Sequence, residues 1–98
     1  MLSIKKELFQ YQVDRHVYVN EEEGKEKITH VQFYNEKSYR AKVVKVETDE
    51  NGVRSAVIPS VLLKQPYSIM AVGCQRPEEA DSQKDYIVIT RKSFRVIE

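Results

Sequence analysis

The chain has no tryptophan, one cysteine, three glycines and three prolines in 98 residues. Cys74 alone cannot close an intramolecular disulfide, and a cysteine-rich structural zinc site is excluded with it. Three glycines cannot build most phosphate-binding loops, and there is no Gly-x-Ser-x-Gly elbow or His-Glu-x-x-His helix. Neither sign of charge dominates. Sixteen Lys and Arg against fifteen Asp and Glu leave +1, too little for a field that gathers nucleic acid or an anionic membrane. No apolar run approaches the ~18 residues that span a bilayer. Residues 1–8 set Lys5, Lys6 and Glu7 around Leu2 and Ile4 where a signal peptide would hold an apolar block. The expectation is a protein that stays in the cytoplasm after synthesis unless an assembly carries it out.

What is present describes one ordinary domain over residues 1–98, with residues 1–7 read as a flexible N-terminal segment. A chain of this length buries roughly two-thirds of its unfolded surface, enough to fold on packing alone. Its 41% apolar and 32% charged residues describe a globular domain with a well-solvated surface.

Apolar residues recur with period two and are rich in Val, Ile, Tyr and Phe, the pattern of strands. Leu8 to Val13 reads as a first strand, and Arg15 to Asn20 either continues it past a kink at Asp14 or pairs after it. Residues 21–27 read as a charged loop around Gly24. Ile28 to Asn35 alternates cleanly, with Val31, Phe33 and Asn35 on one face and His30, Gln32 and Tyr34 on the other. Tyr39 to Ile58 reads as a hairpin closed by Asp49-Glu50-Asn51-Gly52, because Asn and Gly tolerate the positive φ of tight loops. Ile58-Pro59 ends that strand, Ser60 can cap a short helical turn through Leu63, and Pro66 stops it. Ser68 to Gln75 and Asp85 to Ile97 read as strands around a polar loop at Arg76 to Lys84. The fold expected is all-β: an antiparallel β-sandwich, immunoglobulin-like or jelly-roll-like, or a small barrel, of six or seven strands with one short helical turn. Its expected core is Phe9, Tyr11, Val31, Phe33, Val57, Leu62, Leu63, Ile69, Ala71, Ile87 and Ile89.

Residues able to carry chemistry are few. His16 and His30 would have to converge with carboxylates to form a metal site or a base, and their spacing does not force this. Cys74 sits in an apolar run and reads as a buried, inert thiol. Glu21, Glu22 and Glu23 lack the interleaved ligands of a calcium loop and read as a solvated turn. Arg91, Lys92 and Arg95 around Phe94 have the makings of a nucleic-acid surface, but acidic residues lie close in sequence. No enzyme, cofactor or metal is expected. Six of the nine aromatic residues are tyrosines, a residue suited to contact surfaces. A face of Tyr18, His30, Gln32 and Tyr34, with His16 beside it, is the expected binding face, and Asp49, Glu50 and Asn51 are the expected loop contacts.

The segment from Ala56 to Cys74, AVIPSVLLKQPYSIMAVGC, resembles a pattern of small β-rich modules in tail, baseplate and fibre genes of phages and prophages: an alternating strand, Ile-Pro-Asn-x-Leu-Leu-Gln, then an apolar strand. It stands here as Ile58-Pro59-Ser60-Val61-Leu62-Leu63-Lys64, with Ser60 and Lys64 in place of Asn and Gln. Thr29, Val31, Phe33 and Asn35 resemble those modules' Thr-x-Val-x-Phe-x-Asn strand, and residues 93–98 their closing strand. The Lys-Pro-x-Asp-Tyr tail that commonly follows in such modules is not in this sequence. The resemblance implies a non-enzymatic structural or adsorption module that acts through protein–protein assembly, self-association included, and is carried in the virion. It supplies no catalytic residue. A carbohydrate-binding module, using tyrosines with Gln32 and Asn35, and a small mobile-element regulator that binds a host factor are the competing readings.

Overall fold

Side chains alternate between inside and outside along most strands in the computed structural model of the chain, which describes residues 2–11, 15–20, 27–38, 40–64, 67–75 and 87–97. Along these the elements are β1 (Leu2–Ser3), β2 (Leu8–Phe9), β3 (His16–Val19), β4 (His30–Asn35), β5 (Ala41–Lys45), β6 (Glu47–Thr48), β7 (Arg54–Val57), a 3-10 turn (Ser60–Leu63), β8 (Tyr67–Gln75) and β9 (Ile87–Ile97). They form two packed sheets, β1-β3-β7-β6 and β2-β9-β8-β4-β5, in a sandwich-like all-β fold. Six strands have four residues or more; the three two-residue pieces β1, β2 and β6 lie at sheet edges. All pairings are antiparallel except β2 on β9. The expected loops at Glu21–Glu26 and Arg76–Lys84, with Val13, Asp14 and Pro66, lie outside the described residues.

β4 organises the larger sheet. Val31, Phe33 and Asn35 are buried and His30, Gln32 and Tyr34 half-buried on the opposite face, so the alternation in the sequence is the alternation in space. β8 pairs with all six residues of β4, from His30↔Cys74 to Asn35↔Ile69. The β8–β9 register shifts between Gly73 and Cys74. A Cβ at Gly73 would lie 3.0 Å from both Ile28 Cδ1 and Thr90 Cγ2, so a larger residue there would require those side chains to shift.

The hairpin expected from Tyr39 to Ile58 is shorter than its alternating pattern. Only Glu47 and Thr48 pair with β7, whereas Ala41–Lys45 pairs with β4 in the other sheet. The chain changes sheets at Val46, which is buried and donates its N–H to the Thr29 carbonyl at 2.9 Å. Unbroken alternation hides such a crossing, because the inward face remains inward on both sides of it.

Four expected core residues face outward: Phe9, Tyr11, Val57 and Ile87. Their neighbours take the inner positions: Leu8 on β2, Ala56 and Ile58 around the end of β7, Phe94 and Val96 on β9. Ile89 packs at the margin, while Val31, Phe33, Leu62, Leu63, Ile69 and Ala71 are buried as expected. The N-terminal segment does not stand off the domain, since Leu2 is buried and pairs with Val19. Leu8–Val13 is not one strand either. It ends at Phe9 in a turn where Tyr11 adopts φ 64°, a strained conformation for a residue with a side chain.

The 3-10 turn is tied on several sides. Pro59, not Ser60, occupies its N-cap, and no side chain caps it. Its exposed end is held by the Tyr11 N–H, which donates to the Leu63 carbonyl at 2.9 Å, and by the Gln10 amide, which donates to the Lys64 carbonyl. From inside, Asn35 Nδ2 donates to the Leu62 carbonyl at 2.8 Å, while Asn35 Oδ1 accepts the Lys37 and Ser38 N–H groups at 2.9 and 3.1 Å.

Leu62→Ala should cost roughly 2–5 kcal/mol in urea melts, as truncation at a fully buried site does; a loss below ~1 kcal/mol would contradict the packing of the turn. Asn35→Ala leaves buried backbone groups without their partner and should cost about 1–3 kcal/mol by the same measurement.

Candidate functional site

The residues expected to form one binding face fall on two. His30, Gln32 and Tyr34 lie on the outer face of the five-stranded sheet, whereas Tyr18 and His16 belong to β3 in the four-stranded sheet. Equal parity along two strands brings side chains together only when those strands share a sheet.

Around Tyr18 the surface is already self-contacting. The His16 and Tyr18 rings stack at 6.2 Å between centroids, His16 Nδ1 shares a hydrogen bond with Ser55 Oγ at 3.1 Å, and Lys5 Nζ lies 4.4 Å from the Tyr18 ring centroid. A cation over the ring occupies the face that a sugar or a partner's side chain would use.

The outer face of the larger sheet is built by its register. Opposed residues of antiparallel strands project to the same side. One row therefore runs Ala41, Tyr34, Met70, Ser93 and the next Val43, Gln32, Val72, Arg91. Ser93 Oγ donates to Glu36 Oε1 at 2.9 Å and lies 3.8 Å from Met70 Sδ. An aromatic ring, a thioether, valines and an arginine on a rigid sheet match the composition of protein contact surfaces. Met70, Val72 and Arg91 were not legible as members, because the register that brings them to β4 leaves no mark in the sequence.

His30 turns its Nδ1 to Thr29 Oγ1 at 2.8 Å, and Cys74 Sγ donates to the His30 backbone carbonyl at 3.5 Å. The thiol is buried, and this contact is with the histidine's main chain rather than its ring. Among the described residues, no three of His, Cys, Asp and Glu come together as metal ligands, and no helix is long and apolar enough to cross a membrane. Asn35, a candidate sugar ligand, is buried with both ends of its amide bonded. Arg54, which the sequence did not single out, donates to the Ile28 carbonyl, and burial lowers its pKa from the usual arginine value.

The loop Asp49–Gly52 has the geometry its sequence predicts, with one correction. Gly52 sits at φ 78° and its N–H donates to the Asp49 carbonyl at 3.1 Å, a turn closed by a left-handed residue. Glu50 and Asn51 are exposed contacts. Asp49 is exposed as well, but its Oδ1 accepts the Asn51 and Val53 N–H groups at 2.8 and 2.9 Å, so it builds the loop. Aspartate favours this first turn position for that reason.

Comparison of the chain with protein-family models, curated proteins and solved structures gave no match in any of the three.

Gly52→Val should destabilise by roughly 1–3 kcal/mol, since open space around the glycine does not relieve a positive φ. Asp49→Ala should cost about 1 kcal/mol through its two lost hydrogen bonds. Glu50→Ser should stay within about ±0.5 kcal/mol, all three variants being compared with the wild type in urea melts.

Proposed function

We propose that this chain is a non-enzymatic structural or adsorption module of a phage or prophage particle, working through protein–protein assembly. The observation that carries the reading is the outer face of the five-stranded sheet, where Tyr34, Met70, Gln32, Val72 and Arg91 share one surface. Such a face offers apolar area and a planar cation on a scaffold that loses little entropy on binding. The resemblance of Ile58 to Lys64 and of Thr29 to Asn35 to tail and fibre modules supplies the setting. Carbohydrate binding is less well supported, since Asn35 is buried and a lysine covers the Tyr18 ring.

The test is fractionation. After prophage induction in the source cells, particles are banded on a density gradient and the chain is located by mass spectrometry. It should appear in the particle band, and Tyr34→Ala/Met70→Ala should deplete it there by several-fold while the variant folds normally. Recovery of the wild-type chain only among free proteins would overturn the assignment, and selective glycan-array binding would favour the sugar reading.

A further inference from the structure

The edge strands of the larger sheet are not equivalent. On one side β5 is short, and at Val46 the chain leaves it for the other sheet. On the other side β8 pairs with β9 from Ile87 to Val96, whereas β2 reaches only Val96 and Ile97. Among the described residues no strand is paired with the second edge of β9 from Ile87 to Arg95, although β1 comes close to β9. At ~3.3 Å per residue that stretch is about 30 Å long, and an edge without a paired strand turns main-chain donors and acceptors outward.

Side chains along this edge specify what can pair with it. β9 contains Arg91, Lys92 and Arg95 and no acidic residue, and all three cations are exposed. Arg91 and Arg95 lie on the outer face, opposite Val72 and Ser68; Lys92 lies opposite the buried Ala71 and is itself exposed. Ser93 between them donates to Glu36, which tempers the middle of the strand and leaves a cation at either side. Where the strand starts, Ile87 and Val88 are exposed at 53% and 39%.

A second copy centred on Ser93 is a poor occupant. Antiparallel pairing there would place Arg91 of each chain against Arg95 of the other, and like charges directly opposed destabilise a ladder. The same charges favour a strand of opposite sign along this stretch.

We propose that the open edge of β9 receives an extended acidic segment of a partner protein as an added antiparallel strand, with carboxylates opposite Arg91 and Arg95 and apolar side chains against Ile87 and Val88. This rests on the reading of the chain as an assembly module and names the chemistry of its partner. Main-chain bonds give the contact its length, and the charges fix its register and speed encounter.

The experiment is fluorescence anisotropy on the full chain with a labelled nine-residue peptide, acidic residues alternating with valine in its N-terminal half and valine and isoleucine in its C-terminal half. Two further probes carry N-methyl groups on alternate amides, in the two possible phases, and a third has lysine in place of every acid. The acidic peptide should bind saturably and weaken as salt rises. Affinity should fall at least about ten-fold for Arg91→Glu/Arg95→Glu with an unchanged circular dichroism spectrum, and about ten-fold for one N-methyl phase but not the other, because only alternate amides of an added strand face the edge. No saturable binding up to about 1 mM, equal binding of both N-methyl phases, or equal binding of the lysine peptide would overturn the proposal. If the peptide fails while the chain still bands with particles, the edge proposal falls and the assembly reading stands. If the chain does not band with particles but the peptide binds as described, the edge is a docking site in some other setting.

Discussion

Strand β4, the turn that follows it and the 3-10 turn meet at one buried amide. Asn35 is the only buried polar side chain among the described residues, and each of its bonds fixes a different piece of backbone: the Leu62 carbonyl and the Lys37 and Ser38 N–H groups. An amide in an apolar core is costly unless bonded, so the arrangement is stable only when all three pieces are in place together. It also fixes register. A one-residue slip of β4 would carry the amide outward and bring Gln32 and Tyr34 into the core. Once β4 is set, Val31 and Phe33 join Leu62, Leu63 and Ile69 in one buried core, and β8 and β5 pair on either side of β4 with β9 beyond β8.

That joint bears on the proposed reading of the chain as a phage module. The residues that carry the resemblance are mostly interior: Val31, Phe33, Asn35, Ile58, Leu62 and Leu63 are all buried. They specify how a strand, a turn and a second strand lock together, which is a statement about scaffold. Under the proposed assembly role, partner choice would fall to positions the pattern leaves open, namely the outer face at Tyr34 and Met70, the Asp49–Gly52 tip and the β9 edge. A scaffold with variable outer positions is how many binding functions are mounted on one fold.

Legibility in the sequence followed the same division. β4 could be read because each inward residue is apolar or Asn and each outward one polar or aromatic. The loop at Asn51-Gly52 could be read because the need for positive φ restricts residue choice. Around β7 the phase was ambiguous, since Ala56, Val57 and Ile58 are consecutive apolar residues, and the structure buries Ala56 and Ile58 and turns Val57 outward. On β9 the apolar run Ile87 to Ile89 suggested core, but the β8–β9 pair extends past the interior at the Gly73 bulge and the core positions are Phe94 and Val96. The division of the expected face between two sheets was not legible for a different reason. Tyr18 and Tyr34 are related by topology, and no local pattern records which sheet a strand joins.

Native-state amide hydrogen exchange tests the central joint most directly. Lys37 and Ser38 lie in a surface turn, where amides ordinarily exchange near the unprotected rate, but here both donate to a buried oxygen. The account predicts that these two amides exchange far more slowly than the exposed amides of the Glu50–Asn51 tip and open only with the core strands β4 and β8. Exchange of Lys37 and Ser38 at the rate of a free turn, while β4 and β8 remain protected, would contradict it.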